Sequence, residues 1–348
     1  MDHRVGDDVS EANFLVDFEL PAPAIVITGP TAGGKSRLVA ELASRFGSGV
    51  ISLDSMKVYR GMDIGSAKPS PERIESTPFH LIDVRDPWEP FSVGDYLDEL
   101  EGIAGPESAP SIAESAPWLF GGGTAFYLNT LLRGIFRGPA PDESLRIELT
   151  ARAEREGVDA LHRELAALDP PSAEKIHPTD LRRIVRALEV MRHCDEPFSV
   201  LQARRRPILR PQQTRLVGIG RSREELYRRI DDRVTAMFDR GWVAEVQDLL
   251  DAHDPPWSHQ AEQSIGYAQI REALEAGEDP TERIPVIQQR TRHFARHQLI
   301  WFRKMPIEWW APDELDALVN SVVSSWGDLQ KTGEFPTVDP ARLVNDHL

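Results

Sequence analysis

The chain has 348 residues, enough for two domains or for one domain carrying an insertion. At 41% hydrophobic residues it can bury a sizeable core, and its single cysteine, Cys194, excludes a disulfide framework or a cysteine-rich metal site. A net charge of −16 argues against a nucleic-acid partner for the molecule as a whole, but residues 197–223 and 283–307 contain Arg and Lys and no acid, which allows a basic face.

Residues 1–21 are acidic and polar and read as a loosely attached extension. They lack the basic start and apolar run of a secretory signal. No stretch of the chain approaches the ~18 apolar residues of a membrane span. With the lone cysteine, this suits a cytoplasmic protein with no membrane attachment.

The segment 22–140 alternates strands and helices. "PAIVITGP" reads as a short buried strand, and "SRLVAELASRFG" as a helix with Leu38, Val39, Leu42 and Phe46 on one face and a stop at Gly47. "GVISLDS" is a second strand ending at Asp54, and "HLIDV" a third. "FSVGDYLDELEGIA" is a helix, "SAPWLFGGGT" a strand running into a glycine turn, and "TAFYLNTLLRGIF" a helix. Such alternation means an α/β fold with a parallel sheet. Ligands of these sheets sit beyond the carboxyl ends of the strands, so the loops at Gly29, Asp54 and Gly121 to Thr124 should open on one edge. Residues 141–207 contain helical patterns only and read as an all-helical insertion. "TRLVGIG" is the last strand returning to the sheet, and helices fill the rest of 208–312, punctuated near Gly241. A helix and a polar tail occupy 313–348.

Five stretches carry chemistry. Residues 27–38, "ITGPTAGGKSRL", fit G-x-x-x-x-G-K-[ST] between a strand and a helix. The backbone amides of such a turn, the helix N-terminus and Lys35 make a phosphate site, and Ser36 is placed to meet Mg²⁺. A standard triphosphate hydrolase also needs an acid at a strand end to help hold the metal. Asp54 and Asp83 are candidates, but the strand "PWLF" ends in "GGGT" with no acid. The loop therefore identifies a phosphate ligand without identifying a nucleoside triphosphate.

In "DSMKVYRGMDIGSAKP", Asp54 can coordinate a metal, accept a proton from an attacking group, or cap the next helix. Lys57, Arg60 and Lys68 add positive charge to what reads as a shaped loop. In "GGGTAFYL", Gly121, Gly122 and Gly123 allow close approach to a ligand, and Thr124 either caps its helix or touches a substrate. In "RRIDDRV", Arg229 and Arg233 share a helix face and either steady charge on a leaving oxygen or pair with Glu225 and Asp232. In "RHFARHQLIWFRK", basic residues interleave with Phe294, Trp301 and Phe302, a pattern suited to stacking unpaired bases or to an amphipathic core helix. His293 and His297 lie four apart, but no third metal ligand accompanies them.

Together, "GPTAGGKS", "ISLDSMKVYRGMDIGSAKP", "HLIDV", "GGGTAFYLNTLL", "HPTDLRRIVRALEV", "RRIDDRV", "SIGYAQI" and "RHQLIWFRK" resemble the tRNA dimethylallyltransferases in order and approximate spacing, over residues 25–310. The resemblance implies a P-loop NTPase-like core with a helical insertion. It implies dimethylallyl diphosphate as donor, Mg²⁺ as cofactor, and as acceptor the N6 of adenosine 37, beside the anticodon, in tRNAs reading codons that begin with U. It implies Asp54 as general base, Thr124 as a substrate contact and Arg233 as an aid to diphosphate departure. Gly29, Pro30, Thr31, Ala32, Gly33, Gly34, Lys35 and Ser36 would hold the diphosphate, with Ser36 on the metal. The tRNA would be met by Asp54, Ser55, Met56, Lys57 and Thr124, and by Arg146, Arg182, Arg183, Ile184, Val185 and Arg186 of the insertion. It would also be met by Gln263, Ser264, Ile265, Gly266 and Tyr267, and by Arg296, His297, Gln298, Leu299, Ile300, Trp301, Phe302 and Arg303. A monomer that binds the anticodon stem-loop is expected.

The family usually has Gln where Lys57 stands and Thr where Ser66 stands, so this chain carries a cation beside the expected base. From the residues alone, a P-loop small-molecule or nucleoside kinase is the competing enzyme. A nucleotide-switched RNA-binding module is the competing non-enzyme.

Overall fold

The computed structural model describes residues 18–20, 23–105, 116–255 and 257–343. Most of the expected 1–21 extension and the end of the expected tail lie outside them.

In chain order, β1 (Ala24–Thr28) leads through a glycine turn to α1 (Lys35–Phe46), and β2 (Val50–Leu53) leads through an irregular loop to α2 (Pro71–Ser76) and the short β3 (Phe79–His80). Then come α3 (Val93–Ala104), β4 (Trp118–Gly122) and α4 (Ala125–Arg133). A helical run follows: α5 (Glu143–Glu156), α6 (Val158–Leu168), α7 (Pro170–Lys175), α8 (Leu181–His193) and α9 (Phe198–Ala203). The chain continues with β5 (Thr214–Ile219), α10 (Arg223–Asp239), α11 (Trp242–Ala252), α12 (His259–Glu262), α13 (Tyr267–Ala276) and α14 (Ile284–Phe302). It closes with β6 (Glu308–Trp310), α15 (Leu315–Thr332) and α16 (Pro340–Leu343).

The described residues form two compact units. One holds Arg133–Ile208 with Phe18, and the other holds residues 19–132 and 209–343.

The larger unit is built on a six-stranded sheet of order β3-β2-β4-β1-β5-β6, and all its strand pairs are parallel. Its central strands are continuous apolar runs because both faces are covered. Ile25, Ile27, Leu119 and Val217 pack with Leu38 and Leu42 of α1 and with Leu318 and Val322 of α15. The carboxyl ends of β1, β2 and β4 release the three loops that the sequence singles out, so all three open on one edge, as expected.

Two expectations about strands change. "HLIDV" is not a strand along its length: pairing stops at His80, and Leu81 and Asp83 have φ of 60° and 57°, which breaks an extended run. "TRLVGIG" is not the last strand, because β6 pairs beyond it. β6 is three residues long and starts on an acid, a poor strand signature. That acid, Glu308, is buried against Arg215 of β5, with Nε and Nη2 donating to its two oxygens at 3.0 Å. Arg215 therefore belongs to the interior and not to a basic face, although it sits in an acid-free stretch.

The smaller unit packs Leu149, Leu161, Leu165, Ile184 and Leu188 into its own core. Glu189 is fully buried there and receives Arg146 Nε at 2.8 Å, Arg186 Nη1 at 2.6 Å and the Asp142 amide at 2.8 Å. Burial pushes the Glu189 carboxyl up, but its arginine partners outweigh that and hold it below the usual range.

Candidate active site

The phosphate turn lies between β1 and α1. Gly29 at φ 138° and Gly34 at φ 104° hold backbone conformations open to glycine and strained for other residues. The turn is fastened from α10, α14 and the end of β5. Thr31 donates its amide to Gln298 Oε1 at 2.8 Å, Arg229 Nε donates to Ala32 O at 2.9 Å, and Arg221 Nε donates to Gly33 O at 2.9 Å. Arg229 is thus a structural clasp, while the neighbouring Arg228 takes the pairing with Asp232 and Arg221 the pairing with Glu225. Lys35 folds its ammonium onto the turn, donating to Gly29 O at 2.9 Å and Pro30 O at 2.7 Å.

A cavity of about 840 Å³ opens from this turn. Lys35 and Ser36 lie in its wall with Asp54, Lys57, Thr124 and Arg233. Asp54 follows β2 directly, and its Oδ1 accepts the Met56 amide at 3.0 Å and the Lys57 amide at 3.4 Å. Oδ2 has no hydrogen-bond partner among the described residues, so it is available to a proton donor. Thr124 Oγ1 accepts the Ser55 amide at 3.0 Å, and the Thr124 amide donates to Leu53 O at 3.1 Å. The loops after β2 and β4 are therefore tied together beside the carboxylate. Gly122 makes this approach feasible: a Cβ there would stand 2.1 Å from Leu53 O.

Arg233 projects from α10 on the cavity side with Ile230, Val234 and Met237. Among the described residues it forms no hydrogen bond or ion pair. Burial pulls its pKa down against the attraction of Asp54. Lys57 is likewise unpaired among the described residues, and burial lowers its pKa while Asp54 opposes. Burial, then Arg233 and Lys57, lower Lys35 to about 7. Lys57, Arg233 and, when protonated, Lys35 thus share one carboxylate, a field suited to an incoming polyanion. Lys68 and Arg60 are spent elsewhere: Lys68 is paired with Asp63 and Asp83, and Arg60 with Asp86. Asp83 is therefore committed to Lys68.

The cavity also has an apolar part, formed by Ile230, Val234, Met237, Trp242 and Phe294. Among the described residues no three His, Cys, Asp or Glu cluster as a metal site. Ser36 of the phosphate turn and Asp54 both bring side-chain oxygens to the cavity wall. Such a sparse oxygen set suits Mg²⁺, which takes most of its ligands from phosphate and water.

The remaining expected residues divide. Ser55 and Met56 line the cavity, as do Gln263, Ser264 and Ile265. Gly266 and Tyr267 are buried behind that wall. On α14, Gln298 and Phe302 are buried and Leu299 is partly so, while Arg296, His297, Ile300 and Trp301 face outward, as does Arg303 just after the helix. In the smaller unit Arg182 and Arg183 are exposed. There Ile184 and Val185 belong to the core, and Arg146 and Arg186 clasp Glu189.

Sequence reasoning missed Gln298 as a structural bridge. Its Nε2 donates to Gly123 O at 2.7 Å while its Oε1 holds Thr31, so it joins the phosphate turn to the glycine turn. It also missed Glu245, which accepts backbone amides of the loop after Asp54. Neither has a local sequence signal, since their partners are far away along the chain.

Comparison with known proteins places this architecture. The sequence model of the IPP transferase family matches residues 57–305, and that of the isopentenyl transferases matches residues 23–86. A tRNA dimethylallyltransferase 1 of Trichlorobacter lovleyi is 40% identical over 304 residues, which cover 87% of this chain and 98% of that protein. A tRNA dimethylallyltransferase of Chloroflexus aurantiacus is 43% identical over 296 residues, covering 83% and 96%. The crystal structure of a tRNA isopentenylpyrophosphate transferase from Bacillus halodurans aligns with a TM-score of 0.62 at 33% identity, covering 89% of this chain and 99% of that one. The relatives have a P-loop NTPase-like fold, and this chain shares it. With its parallel sheet, its phosphate turn and these matches along most of its length, the chain belongs to the IPP transferase family.

Proposed function

We infer that the protein is a tRNA dimethylallyltransferase. It moves the dimethylallyl group of dimethylallyl diphosphate to N6 of adenosine 37 in tRNAs that read codons beginning with U. The observation that carries this reading is Asp54, with one carboxylate oxygen unengaged, in a cavity that has cations and an apolar wall together.

The chemistry follows from these groups. An aryl amine is a weak nucleophile, so a carboxylate that accepts its proton is useful. The N6–C1 bond forms as the C1–O bond of the donor breaks. The N6 proton passes to Asp54, and the bonding pair leaves with the diphosphate. Amides of the phosphate turn, Lys35 and Arg233 stabilise the charge that develops on the leaving oxygen. Ser36 would hold Mg²⁺, which supplies further neutralisation of the phosphate oxygens. Ile230, Val234 and Met237 supply an apolar face for the hydrocarbon. To reach the cavity, the target base must leave its stack. Phe294, Trp301 and the outward basic residues of α14 supply stacking faces and phosphate contacts for the RNA.

No described helix is long and apolar enough to cross a membrane. We place the enzyme in the cytoplasm as a monomer acting on the anticodon stem-loop.

The test is incubation with labelled dimethylallyl diphosphate, Mg²⁺ and unmodified tRNA. Label should appear on the adenosine after the anticodon and diphosphate should be released. A tRNA that a control enzyme prenylates but this protein does not would remove the reading. The kinase alternative predicts ATP consumption that depends on an alcohol acceptor and ignores RNA.

A further inference from the structure

We propose that Glu245 and Tyr267 are positioning residues for the acceptor nucleoside. They fix the backbone of the loop after Asp54 so that it forms the base-facing wall of the cavity. This rests on the prenyl-transfer reading above.

Glu245 lies on α11 and Tyr267 begins α13. The Glu245 carboxylate accepts three successive backbone amides. Asp63 donates to Oε2 at 3.1 Å, Ile64 to Oε2 at 2.7 Å and Gly65 to Oε1 at 3.4 Å. The Tyr267 hydroxyl donates to Oε1 at 2.5 Å and accepts the Gly65 amide at 3.1 Å. Consecutive amides converging on one anion form a nest, and the charge dictates the loop's shape. Among the described residues Glu245 has no cationic partner, so backbone dipoles and one hydroxyl satisfy it. Burial, then the neighbouring carboxylate, raise the Tyr267 pKa, which keeps its proton in place as the donor.

Trp242 seals the arrangement. A Cβ on Gly65 would lie 2.3 Å from its Nε1, and one on Gly266 only 1.9 Å from its Cη2. The indole therefore lies against both glycines. Tyr267 packs edge-on against Trp242 and Trp257, with ring centroids 5.5 and 6.4 Å apart.

The clamped amides open a run, residues 65–70, that lines the cavity. Trp242, Gln260 and Ile265 line it as well. Trp242, Gln260 and Ile265 are uncharged and offer an aromatic face and an amide edge, the chemistry that accepts a planar heterocycle. The phosphate turn has other fastenings, through Gln298, Arg221 and Arg229. Loosening the clamp should therefore blur the base-facing wall and leave the diphosphate end intact.

The experiment is steady-state prenyl transfer by the full chain carrying Tyr267→Phe or Glu245→Gln, with donor and tRNA varied separately. Phe keeps the ring packing and loses only the hydroxyl, so it guards against a folding failure of the Glu245 variant. Both variants should raise the tRNA KM or lower kcat about tenfold, while the donor KM stays within about twofold. The double variant should be no worse than Glu245→Gln alone, because the two side chains act as one unit. Equal changes in both KM values, or unchanged tRNA kinetics, would overturn the proposal. Wild-type protein that transfers no prenyl group defeats the functional reading instead, and the two failures are thereby distinct.

Discussion

Gln298 accepts the Thr31 amide at 2.8 Å across 267 positions of sequence, which makes one side chain of α14 a wall of the phosphate turn. Its other end holds Gly123 O, so a single amide sets the spacing of two loops that face the same cavity. Replacing Gln298 by Ala takes the partner from the half-buried Thr31 N–H and from the buried Gly123 C=O. Each such loss costs about 1–3 kcal/mol. We expect a clear drop in melting temperature and a donor KM raised about tenfold or more, checked by thermal unfolding and initial rates.

Asp54→Asn keeps the shape of the side chain and removes its capacity to take a proton. Loss of a general base lowers a rate by about 10²–10⁴. The kcat for transfer should fall by that much, while diphosphate binding, read by calorimetry, is retained.

Lys35 sits near pH 7 in the folded protein, against 10.5 for an ordinary lysine, with burial as the first cause. Between those two values the unfolded chain binds the extra proton and the folded one does not, so this group makes stability rise with pH across that window. Below pH 7 both forms are protonated and the full burial penalty remains. A bound diphosphate reverses the preference and favours the ammonium. Diphosphate binding at pH 8 should therefore take up protons, and its affinity should weaken as pH rises above 7. Calorimetry in buffers of different ionisation enthalpy reads the uptake, and Lys35→Met should abolish it.

Arg215 and Glu308 lie 7% and 4% exposed, and among the described residues each is the other's salt-bridge partner. Breaking such a buried pair costs about 3–5 kcal/mol. Glu308→Ala should lower the melting temperature strongly. The activity per folded molecule should remain, because the pair joins β5 to β6 near their amino ends and neither side chain lines the cavity. Denaturant titration and active-site counting check the two halves of that statement.

The phosphate turn, Asp54 and the glycine turn were legible because each lies at the end of a continuous apolar strand, a strong local signal. β6 was not, since its first residue is an acid whose burial depends on Arg215, more than ninety positions earlier. Arg146 and Arg186 read as RNA-facing cations, yet both serve Glu189, which sits between Leu188 and Val190 on α8. An acid among buried neighbours, three residues from an arginine, was the available clue. Gln298 offered none, because a glutamine on a basic helix looks alike whether it faces solvent or a loop.

The sheet unit is interrupted between Leu132 and Leu209, yet the break is stitched: the Leu209 amide donates to Leu131 O at 2.9 Å. Exit and re-entry are thus adjacent, as across a surface turn, and the entropy of closing such a gap grows only with the logarithm of the length spanned. The position is a tolerant socket, able to accept segments of very different length without disturbing the sheet.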